Sequence, residues 1–175
     1  MDELTNILQE ATRSIGPAFF RVPIDGGAPV YRERTYCYEL YHQMRSIWTP
    51  GSPFTLNGEL DKRGHPLLAA YALDGSIPDF LVHQPGRMVG NHAIMEVKTE
   101  RAQAGGIAND LIKLARFRMD AGYQRALYLV FGEDVAPALA RIQAVAAANP
   151  PPCAIEVWAH SAAGAPAHQA ALLGA

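Results

Sequence analysis

The sequence predicts an α/β fold, a mixed β-sheet flanked by α-helices and built as one domain. Three observations lead there. The chain has 175 residues, 49% of them hydrophobic and 18% charged, enough to bury one sizeable core and too balanced for a disordered chain. Apolar runs of strand length, RALYLVFG and AIEVWAH, alternate with longer helical segments after residue 100, as in α/β proteins. Ahead of them, DFLVHQ and AIMEVKT are separated only by the turn-forming PGRMVGN, which reads as a hairpin. The domain is expected over residues 1–160, and the Ala/Gly-rich tail over 161–175 is expected to be poorly ordered.

From the start, Leu4, Ile7, Leu8 and Ala11 recur at i, i+3, i+4 and i+7 and predict an amphipathic helix over 2–13. Residues 14–30 are rich in glycine and proline and read as a loop, with a short extended piece near Phe19–Val22. In RERTYCYELYHQMRSIW, residues Tyr36, Cys37, Leu40, Tyr41, Met44, Ile47 and Trp48 form the apolar face of a second helix, which TPGSP stops. Glu39 lines the flank of that face. FTLNGELD reads as a first strand and KRGHP as its turn, while LLAAYALDGS fits either a strand or a loop. The hairpin strands follow. A helix over 106–121 turns Ile107, Leu111, Leu114 and Ala115 inward. RALYLVFG is continuously apolar, like a strand buried on both faces. DVAPALARIQAVAAA is a further helix and AIEVWAH the last strand.

Several function classes lose support. The formal net charge is −2 and the pI near 6.3, so no bulk attraction draws the chain to nucleic acid or an anionic membrane. Lysine and arginine nevertheless fall almost wholly before residue 126, with Arg141 the only later one. Cys37 and Cys153 lie far apart, and the histidines show no ligand spacing, which speaks against a disulfide or a zinc site. The acidic, amphipathic start is unlike a signal peptide, and no apolar run reaches the ~18 residues of a membrane span. A cytoplasmic location is expected. Phosphate-loop, dinucleotide and hydrolase-elbow motifs do not occur in the sequence.

The stretch IPDFLVHQPGRMVGNHAIMEVKTE (77–100) poses the chemical question. It sets Asp79 before one apolar strand and Glu96 and Lys98 within the next, although charge taken out of water is costly unless paired. Alternation puts Glu96 and Lys98 on one face and Met95, Val97 and Thr99 on the other. A hairpin closed near Arg87–Met88 pairs residues whose numbers sum to 175, so Asp79 stands opposite Glu96, about 5 Å away at Cβ. Two carboxylates so close repel unless a counter-charge joins them. A divalent cation between Asp79 and Glu96 supplies one, with the Val97 carbonyl as a further ligand, and Lys98 supplies part of another. Hard oxygen donors suit Mg²⁺, Mn²⁺ or Ca²⁺, and an ion so held activates water and polarises a phosphoryl oxygen. The plain structural alternative is an Asp–Lys or Glu–Lys pair at a strand end.

Pro78-Asp79, sixteen residues, then Glu96-Val97-Lys98, placed on the second and third strands of a helix, three strands, helix, strand order over residues 33–131, resembles the PD-(D/E)XK nuclease superfamily. The resemblance implies a restriction-endonuclease-like core, with Asp79 and Glu96 as metal ligands and Lys98 as the catalytic lysine. It implies a Mg²⁺- or Mn²⁺-dependent nuclease acting on DNA, with no membrane partner, and a homodimer if both strands of a duplex are cut. Several members add a glutamate from the helix before the sheet, for which Glu39 is the candidate. The alternative is a non-catalytic module of the same fold serving interaction or assembly. Glu59 either faces the same pocket or belongs to a charged turn with Asp61, Lys62 and Arg63. Phosphate contacts are open to Arg34, Lys62, Arg63, Arg101 and Lys113, each of which otherwise serves solubility. Asp110 and Lys113, at i and i+3, also fit a helix-surface pair.

Overall fold

The computed structural model describes residues 3–60, 66–73 and 75–174. The chain opens with α1 (Glu3–Arg13), a short α2 (Pro17–Phe20) and a ribbon of β1 (Val22–Ile24) and β2 (Gly27–Val30). Then come α3 (Glu33–Ser46), β3 (Thr55–Gly58), the short α4 (Pro66–Ala70), β4 (Phe80–His83) and β5 (Asn91–Thr99). The second half runs α5 (Ala104–Met119), β6 (Arg125–Phe131), α6 (Ala136–Ala148), β7 (Ile155–His160) and β8 (His168–Leu173).

Strands β3 to β8 form one six-stranded sheet in chain order. The β3–β4, β4–β5 and β7–β8 pairs are antiparallel, while β5–β6 and β6–β7 are parallel. Helices α5 and α6 are the connections that return the chain for the two parallel pairings, and parallel strands need crossovers of that kind.

Period-two alternation sorts the sheet into two cores. Leu81, Ile94, Tyr128, Val130 and Val157 pack with Ile107, Leu111 and Leu114 of α5 and Ile142 of α6. Their neighbours Phe80, Val82, Met95, Val97, Leu127 and Leu129 pack on the other side with Leu4 and Leu8 of α1 and Tyr36, Leu40 and Met44 of α3. Central β6 feeds both cores, which is why its sequence is apolar throughout. Each fully buried leucine or phenylalanine contributes about 1.5–3 kcal/mol, so these two layers hold the sheet rigid beneath the charged residues.

The sheet differs from expectation in three places. The 161–175 tail is not loose: β8 pairs with β7 and buries Leu173. Its ladder is made of backbone hydrogen bonds, and the alanine-rich HQAALL run shows little of the side-chain pattern that marks a strand. The 14–30 loop contains α2 and the β1–β2 ribbon. The segment that fits a strand or a loop begins in helix α4, which ends at Ala70. Among the described residues no helix is long and apolar enough to cross a membrane.

Candidate functional site

The hairpin register is the expected one, with Phe80 opposite Met95 and Leu81 opposite Ile94, both summing to 175. Asp79 lies one residue before β4, where the ladder would continue. Its side chain takes over the acceptor role there, since Oδ2 accepts a 2.7 Å hydrogen bond from Val97 N–H. Asp79 is thereby tied to the strand that carries Glu96 and Lys98. Its backbone carbonyl accepts from Glu59 N–H at 3.0 Å. Glu59 has a left-handed backbone (φ 44°), a strained conformation for a residue with a Cβ.

Glu96 and Lys98 leave β5 on the α5 side, and α5 meets them with charge. Glu96 is 1% exposed, and its Oε1 lies 2.8 Å from Lys113 Nζ without hydrogen-bond alignment. Asp110, 7% exposed, stands 3.6 Å from Lys113 and 3.8 Å from Lys98. From the other side, Glu33 at the start of α3 holds Lys98 Nζ at 2.9 Å, while Asp79 Oδ2 is 3.9 Å away. Lys98 also donates to the Val97 carbonyl at 3.1 Å. Four carboxylates thus share two ammonium groups.

The excess shows in the titration of Asp79, Glu96 and Lys98. Burial raises Asp79 above the ordinary aspartate value, although the Val97 N–H and Lys98 pull it down. Burial, reinforced by Asp79, pushes Glu96 up to about 8 against the pull of Lys113. Burial alone would lower Lys98, but Asp79, Glu33 and Asp110 around it raise it above its usual value. Lys98 therefore stays protonated at neutral pH. Tyr128 of β6, in register with Glu96, is held above its ordinary value by burial and by the nearby carboxylates. Its hydroxyl, Asp110 Oδ2 and Glu96 Oε1 are buried without a hydrogen-bond partner among the described residues. Orphaned polar atoms brought together in this way call for an ordered water or an ion.

A cleft of about 290 Å³ opens onto Asp79, lined also by Glu33, Arg34, Cys37, Glu59 and Ile77. The sequence-predicted residues distribute as follows. Asp79 and Lys98 meet at 3.9 Å, and Glu96 is linked to them through Lys113 and Asp110. Glu59 reaches the cleft, where Arg34 Nε pairs with it at 3.3 Å. Lys113 is engaged by Glu96 and Asp110 rather than presented to a phosphate. Arg101 lies over the Tyr31 ring, 5.6 Å from its centroid. Lys62 and Arg63, with Asp61, lie outside the described residues.

Glu39 is not brought to the site. Its Oε1 accepts from Gln43 Nε2 at 2.6 Å along α3, and the glutamate that α3 does deliver is Glu33. The six-residue offset leaves Glu39 more than a turn further along the helix and on another face. Glu33, Asp110 and Tyr128 were missed because each reaches the cluster from an element distant in sequence. Asp110 did carry one local signal, its place beside Leu111 on the inward half of an amphipathic helix.

The donors suit a hard cation, being carboxylate and carbonyl oxygens with orphaned atoms beside them. Among the described residues, no three acidic, histidine or cysteine side chains gather closely enough to hold a metal ion on their own. Any ion here would rely on a carboxylate pair, a carbonyl and water. No family model matches the chain, and neither a curated protein nor a solved structure matches it.

Proposed function

We propose that the chain is a metal-dependent nuclease with a restriction-endonuclease-like core, hydrolysing phosphodiester bonds in DNA with Mg²⁺ or Mn²⁺. One observation carries the reading: Asp79, Glu96 and Lys98 belong to one cluster built from two paired strands, with more buried carboxyl groups than its two lysines pair with. Mg²⁺ commonly keeps several waters beside one or two carboxylates, so Asp79, Glu96 and the Val97 carbonyl are enough to hold it. When bound, the ion supplies an activated water and a Lewis acid for the phosphoryl oxygen.

The chain's own residues do the remainder. Asp79, clamped by Val97 N–H, fixes the spacing of the carboxylate pair. Lys98 remains an ammonium, so its role is a fixed positive charge for the phosphate as negative charge builds on it, not a proton acceptor. Glu33 aims that ammonium from α3. Lys113 and Asp110 bracket Glu96 from α5 and orient its carboxylate.

A second reading, a non-catalytic module of the same fold, is favoured by one observation. The Lys98–Glu33 and Lys113–Glu96 pairs already engage the cluster without an ion. Single-turnover cleavage of labelled DNA in Mg²⁺, Mn²⁺ or EDTA, beside calorimetric titration of the metal, separates the two. The nuclease cuts with either metal and not in EDTA. Wild-type protein that neither binds metal nor cuts DNA is the inert module.

A further inference from the structure

Resting on that reading, we infer that the substrate strand is single-stranded where it leaves the cleft, and that its bases stack on the outer face of α3. Arg34, Tyr38, Tyr41 and Arg45 fall at i, i+4, i+7 and i+11, so they form one stripe along the helix, about 16 Å long at 1.5 Å per residue. The stripe begins at the acidic cleft, where Arg34 is a wall residue. Tyr38 is 60% exposed, unusual for a large aromatic side chain with an apolar cavity beside it.

That cavity, of about 300 Å³, is lined by Tyr38, Tyr41, Asn57, Gly58 and Phe80, and it shares Cys37, Glu59 and Asp79 with the cleft. The two adjoin along those three residues. Gly58 lies against the Tyr41 ring, where a Cβ would make ordinary contact at 3.6 Å. Asn57 Oδ1 lies 2.9 Å from His83 Nε2, which fixes the orientation of an amide at the cavity wall. Arg45, exposed in the last turn of α3, makes no ion pair among the described residues.

Arg45 at one end, Arg34 at the other (its charge shared with Glu59) and aromatic rings between them are the parts of a single-strand platform: the charges track phosphates and the rings take base faces. A duplex offers no such faces, because its bases are already stacked on one another. The occupant is therefore an unpaired strand, such as a single-stranded end or flap.

The test is fluorescence anisotropy of wild-type protein with a labelled 20-nucleotide single strand and its duplex, in EDTA so that nothing is cut, over a series of salt concentrations. The single strand is expected to bind at least about tenfold more tightly than the duplex. Tyr38→Ala should weaken single-strand binding by about tenfold without changing the salt slope. Arg45→Ala should reduce that slope by about 0.7, the value for one lost phosphate contact on a single strand. Heparin, a polyanion without bases, should bind wild type and Tyr38→Ala equally. Both side chains are exposed, so unchanged thermal midpoints are expected and exclude unfolding as the cause. Equal affinity for strand and duplex, or no effect of either substitution, overturns the inference. Cleavage assayed separately keeps the two proposals apart: cutting with an inert stripe sinks only this one, and stripe-dependent binding without cutting sinks only the nuclease.

Discussion

At the N-terminal end of β6, Arg125 meets Glu156 of β7 through two hydrogen bonds of 2.8 and 2.7 Å, whereas around β5 four carboxyl groups, from β5, α5, α3 and the residue before β4, share two lysines. Both places bury charge in one sheet. The Arg125 pair is matched in charge, one guanidinium to one carboxylate: Thr5 accepts a further hydrogen bond from the guanidinium, and Trp158 Nε1–H donates to Glu156 at 3.0 Å. Burial alone would raise Glu156, but the hydrogen bonds from Arg125 and Trp158 hold it below the usual glutamate value. The β5 cluster is unmatched, with four carboxyl groups on two lysines and with Asp79 and Glu96 pushed up. Charge of the first kind serves the fold. Charge of the second kind is held in place by the fold at a cost, and that is the physical ground for reading it as a site.

The largest expected difference is in rate. Lys98→Ala should lower single-turnover cleavage on the order of 10²–10³-fold and leave metal affinity nearly unchanged, since an ammonium is no ligand. Arg125→Ala should leave the cleavage rate per folded molecule intact. Equal losses in the two variants would erase the contrast.

Stability should rank the other way. Removing Arg125 strands Glu156 beneath the sheet and should cost about 3 kcal/mol in urea unfolding. Asp79→Asn relieves repulsion while its amide oxygen still accepts from Val97. It should therefore leave metal-free protein unchanged or more stable by about 1 kcal/mol, and weaken Mg²⁺ binding in calorimetry. A strongly destabilised Asp79→Asn would make the cluster structural.

The pH profiles should have opposite slopes. Glu96 is raised in the folded state from 4.5 to about 8, so its contribution is fully present below the unfolded value and is lost as pH rises through the folded one. Metal-free wild type should lose on the order of 4 kcal/mol between pH 5 and 9, and Mg²⁺ should flatten that fall. Glu156 is lowered, so its contribution is present above the unfolded value and disappears as pH drops through the folded one. Wild type and Glu156→Gln should therefore converge in acid, as read from urea midpoints across the range.

The smallest effect belongs to Glu39. Engaged, among the described residues, with Gln43 on its own helix, it should tolerate Glu39→Ala within about 0.5 kcal/mol and without change in cleavage. Glu33→Ala, which frees the Lys98 ammonium, should reduce cleavage measurably in the same assay.

What the sequence determined by itself is what local geometry controls. Period two decided which residues of β5 share a face, and the turn near Arg87–Met88 decided the register that brings Asp79 to Val97. The stripe of Ile107, Leu111 and Leu114 decided which side of α5 turns inward. Tertiary structure decided everything that depends on how far one element slides along another. Whether α3 delivers Glu33 or Glu39 depends on where Tyr36, Leu40 and Met44 seat on the sheet, and periodicity says nothing about that axial position. Whether Asp110 and Lys113 form a surface pair or cap Glu96 depends on the height at which α5 crosses β5. β8 likewise exists because β7 offered an edge of backbone donors and acceptors, a partner no side-chain pattern in HQAALL announces. Face and register are short-range consequences of backbone geometry, while the meeting of distant charges is a consequence of packing.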